Sequence, residues 1–172
     1  MRYDENLWVY LKKFKNKASK LDLSDRLQII SRIGKAVKEI QKSNLVHLDL
    51  KPSNILLMYD TNILQKVLTL NKWNSANVDN LVLADFGLSG DLATCSKNAG
   101  TPGFASPEQM IGQVHKKSDL YSFGKLAILV LFEWDTAWSL MAQPKTEPEL
   151  KLEKIYGTKL KKIIAGFLQV SR

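Results

Sequence analysis

Asp49, Lys51 and Asn54 place a carboxylate, an ammonium and an amide within six residues, in the stretch Val46-His47-Leu48-Asp49-Leu50-Lys51-Pro52-Ser53-Asn54-Ile55-Leu56-Leu57. A carboxylate can orient and deprotonate a hydroxyl, a cation can neutralise a moving phosphate, and an amide oxygen can ligate a hard divalent ion. Together the three suit phosphoryl transfer. Apolar runs on both sides, Leu45-Val46 and Ile55-Leu56-Leu57, pin a short loop between buried elements. Pro52-Ser53-Asn54 are also ordinary turn residues, so the plainer and less favoured reading of the stretch is a turn between a helix and a strand.

Three later stretches carry further chemistry. Leu81-Val82-Leu83-Ala84 reads as a short strand that runs directly into Asp85-Phe86-Gly87. A carboxylate at a strand end can ligate a divalent ion, and Gly87 allows the backbone to turn sharply after it. Gly100-Thr101-Pro102-Gly103-Phe104-Ala105-Ser106-Pro107-Glu108 is a Gly/Pro-rich segment, read on its own as a surface loop. Lys117-Ser118-Asp119-Leu120-Tyr121-Ser122-Phe123-Gly124 opens a helix, with Asp119 in its first turn. Leu126 to Phe132 then shows no polar face, as expected of a helix surrounded by protein.

The elements that must position these groups are mostly helical. Met1 to Phe14 reads as a strand end leading into an amphipathic helix (Leu7, Tyr10, Leu11, Phe14). Ser24 is an expected N-cap for a second helix, in which Leu27, Ile30, Ile33, Val37 and Ile40 mark a buried stripe as far as about Ser43. Ile55 to Met58 is a short strand. Tyr59 to Asn80 is rich in Asn, Lys and Thr and reads as an inserted loop. Around Trp134 and Trp138, and from about Lys159 to Leu168, further helices are expected.

A chain of 172 residues can bury one real core. One cysteine, Cys95, excludes an intrachain disulfide and a cysteine-based zinc cluster and fits a reducing compartment. The longest apolar run, Leu126 to Phe132, is too short to span a bilayer, and the N-terminus lacks a signal pattern. These features lead us to expect an intracellular, cytoplasmic protein. The formal charge of +8 is concentrated at Lys12-Lys13, Lys15, Lys17 and Lys20 and again at Lys159, Lys161 and Lys162. No aromatic ladder interleaves these lysines, so a solvated basic face is expected rather than a nucleic-acid surface.

Taken in order, the motifs resemble those of the protein kinase superfamily. The loop around Asp49 resembles the catalytic loop H-R-D-L-K-P-x-x-N, Asp85-Phe86-Gly87 the D-F-G motif, and Gly100 to Glu108 the end of an activation segment. Lys117 to Gly124 resembles the start of the buried central helix of the large lobe. The resemblance implies a mainly α fold with a small β component, the large helical lobe of a kinase-like fold. It covers residues 1–172 as a partial kinase domain, hinge and large lobe, clipped at both ends, with an insertion near 59–80. No G-x-G-x-x-G phosphate loop and no V-A-I-K lysine precede the catalytic loop. A missing small lobe or a partner surface is therefore expected above the site.

By resemblance, Asp49 orients and deprotonates a protein Ser or Thr hydroxyl, and Lys51 neutralises charge on the γ-phosphoryl of ATP. Asn54 and Asp85 hold Mg²⁺, and Leu56 either packs beneath the adenine ring or is a plain core leucine. His47 packs against Phe86, Gly87 frees the turn, Thr101 bonds Asp49 and Lys51, Glu108 pairs with a later arginine, and Asp119 holds the loop backbone. Lys51, two residues after Asp49, points to the serine/threonine type. Leu48 stands where the family has arginine, so activity is expected not to depend on a phosphate read through that position. Two other readings stay open: a catalytically inactive kinase-like scaffold or fragment, and a small-molecule phosphotransferase of the aminoglycoside-kinase type.

Overall fold

The computed structural model of the chain describes residues 4–13, 21–59, 78–95, 100–132, 134–142, 154, 157–160, 162–166 and 168. The expected insertion falls mostly outside them; its ends, Tyr59 and Val78 to Asn80, belong to strands. Phe14 and Arg172 also lie outside.

The protein is mainly helical with one small sheet. Strand β1 (Glu5–Asn6) runs into helix α1 (Leu7–Lys12), capped by the Asn6 side chain, which accepts from the Val9 amide. Leu7, Tyr10 and Leu11 form its buried face. Helix α2 (Leu23–Lys42) follows. Its N-cap is Asp22, not Ser24: Asp22 Oδ1 accepts from the Asp25 amide at 2.7 Å. Both residues can cap, but Leu21 is buried and anchors the chain one residue before Asp22. Arg26 then reaches back to the Leu21 carbonyl at 3.0 Å and across to that of Val130 at 2.6 Å. The buried stripe is also rotated from expectation. Ile29, Ile33 and Val37 are its centre, Ile30 and Ile40 flank it, and Leu27 is exposed.

Strands β2 (Ile55–Tyr59) and β3 (Val78–Leu83) complete an antiparallel sheet in the order β1-β2-β3. Leu56 pairs with Asn6 on one side and Val82 on the other. Because successive side chains alternate faces, Ile55 and Leu57 enter the core, whereas Leu56 is half-buried and Val82 exposed. The short helix α3 (Pro107–Met110) is capped by Ser106, whose Oγ accepts from the Gln109 amide.

Helix α4 (Ser118–Leu131) is the centre of the core. Each of its fully buried residues Leu126, Ile128, Leu129 and Leu131 contributes about 1.5–3 kcal/mol relative to exposure. A side chain at Gly34 would put its Cβ 3.2 Å from the Phe123 ring, so that glycine lets α2 approach α4 closely. Lys125 enters this core and donates to the Met141 carbonyl at 2.9 Å, near the C-terminal end of helix α5 (Trp134–Ala142), where negative partial charge accumulates. Trp138 packs edge-on against Trp8 and Phe104, tying α5 to α1 and to the segment before α3. Positions 157–160 and 162–166 are helical, with Ile164 and Leu168 in the core. No described helix is long and apolar enough to cross a membrane.

Candidate active site

The loop between α2 and β2 is held from behind by a buried carboxylate. Asp119, in the first turn of α4, accepts from the His47 amide at 2.7 Å and the Leu48 amide at 2.9 Å and has no exposed surface. Burial raises its carboxyl above the ordinary range, against the pull of those two amides. This bracing lets Leu48 adopt a left-handed backbone, φ 66°, which a leucine rarely takes.

Beyond that kink, four side chains converge. Lys51 Nζ donates to Asp49 Oδ2 at 2.7 Å and to Thr101 Oγ1 at 3.0 Å, and Thr101 Oγ1 donates to Asp49 Oδ1 at 2.6 Å. The three groups form a closed triangle between the loop and the Gly100–Glu108 segment, fifty residues apart in sequence. Asn54 Nδ2 adds bonds to the Asp49 carbonyl at 3.0 Å and to Asp49 Oδ2 at 3.2 Å. With both acceptors on the nitrogen side, the Asn54 amide is oriented and its Oδ1 faces away from Asp49. Burial pushes the Asp49 carboxyl up, but the hydrogen bonds from Lys51, Thr101 and Asn54 and the Lys51 charge outweigh it. The net result lies below the ordinary carboxylate value.

Asp85 joins this group through the backbone: the Ala84 amide donates to the Asn54 carbonyl at 2.9 Å, which sets residue 85 beside the loop. Asp85 is exposed, with φ 63°, and its Oδ1 accepts weakly from the Gly87 amide at 3.4 Å. His47 is fully buried and links the two motifs. Its Nδ1 accepts from the Asp49 amide at 3.3 Å, so Nε2 carries the proton toward the Ala84 carbonyl at 3.0 Å. Its ring lies 4.7 Å from that of Phe86, which is half-exposed. Leu56 lies on the open face of the sheet. Glu108 is buried, and its Oε2 has no hydrogen-bond partner among the described residues.

Two contributors were not singled out in the sequence. Gln109 is fully buried and donates from Nε2 to the Leu48 carbonyl at 2.6 Å, crossing 61 positions. Gly100, at φ 126°, makes room for it, because a Cβ there would lie 2.4 Å from Gln109 Nε2. The glycine was visible as part of a motif, but its partner was not. Leu48 itself shares a small apolar cluster with Val46 and Cys95, flanked by Leu88 and Val114.

The donor set is one of hard oxygens on a short loop. No group of three or more His, Cys, Asp or Glu converges among the described residues. One amide oxygen and one exposed carboxylate are a donor set that Mg²⁺, which uses few protein ligands, could take.

The chain is also similar in sequence to known proteins. The protein kinase domain profile matches residues 3–164. The chain is 31% identical over 103 residues, 59% of its length, to the dual specificity protein kinase zakA of Dictyostelium discoideum, covering 12% of that protein. It is 32% identical over 142 residues, 77% of its length, to a probable LRR receptor-like serine/threonine-protein kinase of Arabidopsis thaliana, covering 14% of it. It is 34% identical over 113 residues, 62% of its length, to the calcium/calmodulin-dependent protein kinase cmkA of Emericella nidulans, covering 23% of it. The chain thus spans less than a quarter of the length of each of these relatives. From the profile match across nearly all its residues and the motifs assembled around Asp49, the chain belongs to the protein kinase domain family.

Proposed function

We propose that this chain is the hinge and large lobe of a serine/threonine protein kinase, which transfers the γ-phosphoryl of ATP to a Ser or Thr hydroxyl on a protein. The observation that carries the reading is the Asp49–Lys51–Thr101 triangle, closed by bonds of 2.6–3.0 Å. An ionised Asp49, with its pKa held down by its neighbours, suits orientation of a substrate hydroxyl and acceptance of its proton. The Lys51 ammonium suits neutralisation of charge on the transferred group. Thr101 joining both supports the serine/threonine type, since it ties the substrate-side segment to the two reactive groups.

Asn54 Oδ1 and the Asp85 carboxylate are the groups that would hold Mg²⁺, which when bound neutralises phosphate oxygens. Leu56 and Val82, apolar and incompletely covered, suit the nucleotide base and whatever small lobe or partner surface closes over it.

The test is transfer from γ-labelled ATP by the natural full-length protein to a mixed set of protein substrates. The expected product is phosphoserine and phosphothreonine, lost on chelation of Mg²⁺ and in Asp85→Ala. Transfer to tyrosine alone would overturn the specificity. Failure to bind Mg·ATP would overturn the catalytic reading and leave the scaffold.

A further inference from the structure

The peptide unit between Leu48 and Asp49 is held at both ends. Its carbonyl accepts from Gln109 Nε2 at 2.6 Å, and its N–H, that of Asp49, donates to His47 Nδ1 at 3.3 Å. One peptide earlier, the Leu48 amide donates to Asp119 Oδ1 at 2.9 Å. Leu48 is left-handed, φ 66°, and both it and Gln109 are buried. A Cβ at Gly100 would lie 3.0 Å from the Leu48 carbonyl oxygen and 2.4 Å from Gln109 Nε2, so bare backbone closes the slot in which the two meet.

We propose that Gln109 is a positioning residue: its amide nitrogen fixes the plane of the Leu48–Asp49 peptide and so aims the Asp49 side chain at Lys51 and Thr101. Because the peptide is rigid, turning its plane changes the backbone angle after Leu48 and the one before Asp49 Cα together. The orientation of this carbonyl therefore sets the direction in which Asp49 leaves the chain. A left-handed leucine is strained and persists only where its surroundings over-determine it. Asp119 fixes the peptide before Leu48, and Gln109 fixes the one after it.

The residue type fits the task. A buried carbonyl needs a donor, which a methionine of similar length lacks, and a lysine would bring a charge into a place without water. The cap of α3 fixes where the glutamine starts, since Ser106 Oγ accepts from the Gln109 backbone amide at 3.3 Å. The same stretch of chain carries Thr101, whose hydroxyl donates to Asp49 Oδ1 at 2.6 Å. One segment thus holds Asp49 twice, by its backbone through Gln109 and by its carboxylate through Thr101. Burial raises the Asp49 carboxyl, and the bonds from Lys51, Thr101 and Asn54 bring it below the ordinary value. Those bonds depend on aim, so freeing the peptide plane lets the titration rise toward that value.

The effect on transfer rests on the kinase reading above, whereas the effect on the Asp49 titration does not. The experiment measures both in the natural full-length protein, by phosphoryl transfer from Mg·ATP and by carboxyl NMR. Gln109→Met should lower kcat about ten-fold with KM for ATP unchanged, and move the Asp49 titration up. Ile29→Val, a loosened core position in α2, is the control for a merely structural effect and should change kcat less than about three-fold. Gln109→Glu offers a hydrogen only while its carboxyl is protonated, and burial lifts that carboxyl above its ordinary value of about 4.3. It should be about ten-fold slower than wild type near pH ~8 and within about three-fold of wild type near pH ~5.5. This comparison reads the bond whether or not Gln109→Met folds. Transfer by Gln109→Met within about three-fold of wild type, an equal loss in Ile29→Val, or no recovery of Gln109→Glu on acidification would overturn the proposal. A raised Asp49 titration in Gln109→Met, in a protein whose wild type transfers nothing, would uphold the positioning and overturn the kinase reading instead.

Discussion

On one side of the loop between α2 and β2, Asp49 accepts from Thr101 at 2.6 Å and Lys51 donates to the same Thr101 hydroxyl at 3.0 Å. On the other, the Leu48 side chain packs in an apolar cluster with Val46 and Cys95. Adjacent residues thus tie the activation segment to the loop at two points, with opposite physics. The polar tie is directional and holds the Asp49, Lys51 and Thr101 groups at fixed angles. The apolar tie is non-directional and worth what its buried area is worth. At position 48 a leucine makes this second tie by packing alone, with no charged partner required.

Asp119 is where the comparison breaks hardest, because it holds the backbone from which both ties spring. Asp119→Ala leaves the His47 and Leu48 amides buried without an acceptor, at a cost of about 2–6 kcal/mol. Urea unfolding checks this, and a loss below about 1 kcal/mol would contradict it. Leu48→Ala removes the apolar tie alone and should cost about 2–5 kcal/mol, with Cys95 labelled faster by N-ethylmaleimide. A variant as stable as wild type would show that the cluster carries no load.

The polar tie is sharpened by titration. Asp49 is held below its ordinary pKa, so its ionisation contributes stability above the unfolded value of about 3.9. That contribution is lost as pH falls through the lower folded value. Thr101→Val removes one of the bonds responsible and should move the Asp49 titration up toward the ordinary value by carboxyl NMR. Leu48→Ala should leave it where it was. A shift of equal size in both variants would mean that the two ties are not independent.

What was legible in the sequence follows the range over which each contact acts. His47, Asp49, Lys51 and Asn54 lie within one short loop, so their residue types and spacing expose their chemistry directly. The α2 stripe was visible as a helix, but Leu27, Ile29 and Ile30 are all apolar, and only contact with α4 selects Ile29 as the centre. The choice between Asp22 and Ser24 was equally local in type and was decided by burial of Leu21. Gln109 and Cys95 were silent, because their roles exist only once segments some fifty to sixty positions away are brought against them. The mainly helical class with a small sheet came with the kinase resemblance, while the apolar spacing of α2 and the uninterrupted run of α4 marked those two helices by themselves.

The central claim is that Asp49 is the reacting carboxylate of a protein kinase. The most direct measurement is single-turnover transfer from Mg·ATP to a protein hydroxyl by the natural full-length protein and its Asp49→Asn variant. The account predicts a fall of about 10²–10⁴-fold, with nucleotide binding and folding retained. Transfer by Asp49→Asn at a near wild-type rate would contradict it.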